Sequence, residues 1–159
     1  MPPCLKKLFC YEAWASRRLL IRLRELPDVD PQVQKLLAHI QVGLKVWIMR
    51  IHGEDSRGIS IWPDLSLGEC EALIDENEKA YAGLLANLSE EFLVKKVAYT
   101  NQHGLSYETA VGDILFHVIT HGGYHRGQIA RLLRQSGHEP VNTDYITYVR
   151  ELEGQSWKP

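Results

Sequence analysis

Apolar residues recur at three- and four-residue spacing along four long stretches of this chain, the periodicity of amphipathic helices. In residues 4–26, Leu5, Phe9, Ala13, Ser16, Leu20 and Leu23 share one face, Tyr11 and Trp14 read as anchors against neighbours, and Pro27 ends the helix. Asp30-Pro31 then supplies an N-cap and a proline at the first helical position. The second helix is predicted over 31–52, with Val33, Leu36, Leu37, Ile40, Leu44, Trp47, Ile48 and Ile51 facing inward. His39 sits on its flank, in line with Gly43, Val46 and Arg50. After a loop rich in glycine, serine and charge, Ser66-Leu67-Gly68-Glu69 has the capping-box pattern. It opens a third helix that reaches about residue 88 through Leu73, Ile74, Tyr81, Leu84, Leu85 and Leu88.

Between 92 and 108 the period shortens. Val94, Val97 and Tyr99, then Leu105 and Tyr107, flank the turn-like Asn101-Gln102-His103-Gly104 and predict a β-hairpin laid against the helices. The fourth helix, 109–136, carries the stripe Val111, Leu115, Val118, Gly122, Ile129 and Leu132, and stops at Gly137 with Pro140 beyond. Asn142-Thr143-Asp144 caps a short last helix, 143–152. There is no internal repeat or linker, so residues 1–159 read as a single domain. The expected class is all-α: a four-helix bundle with a short β-hairpin insertion before the fourth helix and a short C-terminal helix.

Composition narrows the function. Hydrophobic residues make up 45% and charged residues 24% of the 159, with a net charge of −2 and no run of either sign, so no nucleic-acid partner is expected. No stretch approaches the roughly 18 uninterrupted apolar residues of a membrane span, so no membrane partner is expected either. Glu12, Arg17 and Arg18 interrupt any signal-peptide core. Cys4, Cys10 and Cys70 form no C-x-x-C pair and read as reduced thiols of a cytoplasmic protein.

The candidate chemistry lies in residues 112–137, where His117, His121 and His125 stand four apart and stack on one helix face. His125 falls close to the buried stripe, His121 at its edge and His117 further round, with Gln128 continuing the edge. Imidazole is the commonest metal ligand at neutral pH, but two histidines rarely suffice. His39, on the second helix and a comparable flank, is the candidate third ligand. His52, His103 and His138 sit at a helix end, in the hairpin turn and after the helix stop. Neither paired Glu-x-x-His, nor H-E-x-x-H, nor a phosphate loop, nor a Gly-x-Ser-x-Gly elbow is present.

Three segments together resemble the DinB/YfiT-like family of metal-binding four-helix bundles. They are Tyr11-Glu12-Ala13-Trp14-Ala15 with Arg18-Leu19-Leu20 and Leu26-Pro27; His39-Ile40 followed by Trp47 and Arg50; and His121-Gly-Gly-Tyr-His125-Arg126-Gly127-Gln128 with Leu132-Leu133-Arg134-Gln135 and Gly137. The likeness spans nearly the whole chain and departs at Glu12, where the family often carries asparagine. The resemblance implies a metal held by His39, His121 and His125, a homodimer, and a small-molecule substrate such as a low-molecular-weight thiol. The family's name refers to induction by DNA damage, which says nothing about contact with DNA. His117 reads as a supporting partner or a buried imidazole rather than a fourth ligand, with Asp113 placed to orient it. Arg126 pairs with a carboxylate on another helix or meets substrate, and Gln128 bonds near the metal.

Three neutral imidazoles leave a divalent ion's charge uncompensated, which favours ionised water or thiolate beside it. A metal-dependent hydrolase or thiol S-transferase is the expectation, with no separate catalytic base evident. The competing reading is a non-catalytic dimeric metal-binding, stress-related protein whose ion ties helices together. Zinc or nickel is preferred over iron, manganese or copper.

Overall fold

Each long helix begins and ends where local chemistry dictates. The computed structural model describes residues 2–86 and 88–155. The first helix, α1 (Pro2–Glu25), starts two residues earlier than its pattern suggested, because proline is tolerated in a first turn. In α2 (Pro31–Ile51) the Asp30 carboxylate accepts the Gln32 backbone N–H at 2.8 Å. The capping box before α3 (Leu67–Ala86) closes as expected: Glu69 N–H donates to Ser66 Oγ at 3.2 Å, while Glu69 Oε2 accepts Ser66 N–H at 2.8 Å. The predicted end of this helix, at about 88, runs across residue 87, which lies outside the described residues.

Two departures follow from short-range competition. A five-residue helix, α4 (Glu90–Val94), precedes the hairpin, so Val94 is helical and exposed rather than a strand residue. Ser89 Oγ accepts the Phe92 N–H at 3.1 Å, and Glu90 and Glu91 complement the positive end of the turn. The strands are β1 (Lys96–Thr100) and β2 (Ser106–Ala110), antiparallel with Tyr99 opposite Tyr107. Leu105 belongs to the turn, where its N–H and that of His103 donate to Asn101 Oδ1 and Gly104 takes φ 76°. Thr109 and Ala110 pair with Val97 and Lys96, which delays α5 to Val111–Gln135. The last helix, α6, is Tyr145–Leu152.

The helices α1, α2, α3 and α5 form the expected bundle: α1 packs on α3 and α5, and α2 packs on α3 and α5. Its core runs from Phe9, Leu20 and Leu23 through Leu37, Ile40 and Leu44 to Ile74, Tyr81, Ile114 and Ile129. On α5 it is Leu133 that is buried, while Leu132 only flanks the core. The hairpin lies against the bundle through buried Val97 and through Tyr99, edge-on to Trp47 at 4.9 Å. Tyr11 and Trp14 do anchor a neighbour, α6: Tyr11 packs on Tyr145 and Tyr148, and Trp14 Nε1 donates to Glu151 at 3.0 Å. All three cysteines are free, and burial pushes the Cys70 thiol up to about 11.

Candidate metal centre

The facing order of α2 and α5 decides which histidines meet. His39 contacts His121 and His125, whereas Trp47, two turns further along α2, contacts His117 at the earlier part of α5. The two helices are therefore antiparallel here, and four-residue spacing brings successive imidazoles past one α2 flank. His39 and His125 are buried, and His121 lies half-buried between them.

Three ring nitrogens converge. His39 Nε2 and His125 Nε2 each lie 3.1 Å from His121 Nε2, and the ligand atoms of the three residues all fall within 4.8 Å of one another. The outer nitrogens fix the tautomers. His39 Nδ1 is 2.6 Å from the Ile61 carbonyl, which only accepts, so the proton sits on Nδ1 and the Nε2 lone pair points inward. His125 Nδ1 donates in the same way to Gln128 Oε1 at 2.7 Å. A proton on His121 Nε2 serves one of those lone pairs and leaves the other facing nitrogen without a donor. A cation among three lone pairs satisfies all of them. Tetrahedral nitrogen ligands at about 2.0–2.1 Å from zinc stand about 3.3 Å apart, close to the observed spacing. The residues fit a metal ion.

Electrostatics favours the same state. Burial, with help from His125, His39 and His117, pushes His121 down to about 3, and burial lowers His39 as well. Neutral imidazole, the ligating form, is thus held at neutral pH.

Not every predicted residue joins. His117 is exposed, its ring 5.4 Å from that of His121, and it lies outside the three-nitrogen group. It is therefore not a buried core imidazole, and the exposed Asp113 does not bond it. His52, His103 and His138 lie elsewhere, as their positions in the chain suggested.

Residues 1–155 match the DinB family. The chain belongs to the DinB family. It is also 30% identical over 158 residues to Protein DinB of Bacillus subtilis (strain 168), covering 90% of this chain and 92% of that protein.

The DinB-family signature on α5 holds more than ligands. Arg126, one residue past His125, is buried and donates to Glu12 Oε1 at 2.5 Å and to the Tyr11 phenol oxygen Oη at 3.3 Å. Glu12, the departure from the family pattern, is thus the carboxylate partner from another helix. Gly122 makes the approach possible: a Cβ there would lie 2.6 Å from Glu12 Oε1. Two contributors escaped the sequence reading, the Ile61 carbonyl and Trp62. The Trp62 indole stacks on His39 at 3.7 Å with planes 3° apart, although 47% of the residue is exposed. A backbone acceptor has no side-chain signal, but a tryptophan in a polar loop was a visible one.

Proposed function

We propose that His39, His121 and His125 hold a divalent metal ion, zinc or nickel, and that the chain is a metal-dependent enzyme of the thiol S-transferase or hydrolase type. The observation that carries the reading is the convergence of three Nε2 atoms, two of them aimed by hydrogen bonds on Nδ1. Such outer partners orient ligands in metal sites generally.

A divalent ion bound there supplies uncompensated positive charge, which favours the deprotonated form of a water or thiol that reaches it. The protein's own residues do the rest. Ile61 and Gln128 hold the ring planes, and Trp62 shields His39 from water on one side. Among the described residues only three ligands converge, which supports an open position of the catalytic kind over a closed structural site. The resemblance further implies a homodimer acting on a small molecule, and sedimentation equilibrium tests the assembly.

Metal analysis of the purified protein beside His125→Ala tests the centre: about one ion per chain is expected for the natural sequence and a large loss in the variant. Equal content in both would sink the assignment. Low-molecular-weight thiols offered with electrophilic substrates, against hydrolysable esters and amides, then separate transferase from hydrolase.

A further inference from the structure

Arg50, at the last turn of α2, is held in place but lacks a counter-ion among the described residues. Its Nε donates to Ser56 Oγ at 3.1 Å, and Ser56 is buried. Its guanidinium carbon lies 4.6 Å from the Trp47 ring centre and 4.8 Å from that of Tyr99, flattened between α2 and β1. Among the described residues, every other arginine that is not fully exposed (Arg17, Arg18, Arg22, Arg126) has a carboxylate partner. Arg50 has none. The adjacent loop does not neutralise it: Asp55 is taken by Arg57 through bonds of 2.9 and 2.8 Å, and Glu54 makes no ion pair with it. Burial lowers the Arg50 pKa and the neighbouring Tyr99 offsets it only in part, as for a cation stripped of water with no full counter-charge. The side chain lines a pocket of about 250 Å³ together with Glu54, Asp55, Ser56, Arg57, Tyr99 and Thr100, so two guanidinium groups and two carboxylates share it, and the one Asp55–Arg57 pair leaves Arg50 to meet a ligand.

A pinned planar guanidinium with free donors at a small polar pocket matches the fork geometry of carboxylate and phosphate. We propose that Arg50 anchors an anionic group, a carboxylate or a phosphate, of a small ligand in the cleft between the end of α2, the 53–57 loop and β1. Trp47 links the cleft to the histidines: it contacts Arg50 and Tyr99, which line the cleft, and His117, which adjoins His121. Arg50 lies eleven positions after His39 on α2, about 16 Å at helical rise. An arginine side chain reaching back toward the helix start shortens that span. The anion is then the tail of a molecule whose reacting end meets the metal; this last link rests on the metal-centre reading, whereas the anion site does not.

Isothermal titration calorimetry of the full chain with inorganic phosphate and, separately, with succinate tests the site and distinguishes the two sources. Saturable one-to-one binding of at least one anion is expected. Arg50→Gln should weaken it about tenfold to a hundredfold, the loss of charge-assisted hydrogen bonds. Arg50→Lys should fall between, because an ammonium lacks the fork, and Arg131→Gln, at an exposed arginine away from the cleft, should change nothing. If Arg50→Gln fails to fold, Arg50→Lys and Ser56→Ala carry the decision, each expected to weaken binding. His125→Ala should keep the anion affinity even when metal is lost, which separates this site from the metal centre. The proposal is overturned if neither anion binds the natural sequence, if the Arg50 and Ser56 variants bind as tightly, or if His125→Ala abolishes binding.

Discussion

Gly122 and Gly123 stand side by side on α5 and answer to opposite demands. At Gly122 a methyl group would intrude to 2.6 Å from Glu12 Oε1, within a buried ion pair, whereas at Gly123 it would meet nothing within 4 Å. Displacing a buried carboxylate from its arginine strands a charge, so Gly122→Ala should destabilise by about 3 kcal/mol. Gly123→Ala should stabilise by about 0.5–1 kcal/mol through helix propensity alone. Urea denaturation reads both, and equal midpoints would refute the steric account. The histidines add a pH dependence. In the metal-free chain burial takes His121 from 6.5 to about 3. The unfolded state therefore binds the extra proton first, and stability rises with pH across that window. Denaturation in chelator should show the metal-free chain losing stability as pH falls below about 6.5, with His39 acting in the same direction. A flat profile from about pH 7 to pH 4.5 would mean that the imidazoles are not desolvated.

At the scale of elements, legibility depended on whether the signal was local. The helical stripes, the Asp30 cap and the Ser66–Glu69 box announce themselves within a few residues and lie where the pattern puts them. The α4 turn did not, because five residues show too little periodicity and Phe92-Leu93-Val94 reads equally well as strand. The His121–His125 pair was visible as spacing, but its meeting with His39 depends on the antiparallel contact of α2 and α5, which no local pattern encodes. That contact predicts a measurable cross-link. An ion that binds only the folded pair of helices adds RT ln(1 + [L]/Kd), about 2.7 kcal/mol at a hundredfold excess over Kd. Loading the chain with zinc or nickel should raise the midpoint of thermal unfolding by several degrees, and His39→Ala should remove the rise. A rise that survives in His39→Ala would place the ion elsewhere.

Across the whole molecule the candidate centre belongs to three parts of the chain: α2, α5 and the loop between α2 and α3. The loop enters through two contacts of different kinds, the Ile61 carbonyl on His39 Nδ1 and the Trp62 indole on the His39 ring. Both act on one ligand, so fixing His39 also fixes the loop. By contrast α6 is docked at another place, through Tyr11 and Trp14 of α1, away from the three-histidine group. Metal loading should therefore slow amide exchange in two helices and one loop while leaving α6 as it was, because local opening is limited by the contacts each region must break. Hydrogen–deuterium exchange with and without metal measures this, with peptides over 53–66 the informative ones. Trp62→Ala should uncouple the loop, restoring its fast exchange in the loaded protein while α2 and α5 stay protected. If protection instead spreads evenly to α6, the ion stabilises the chain globally and the loop has no special tie to the centre.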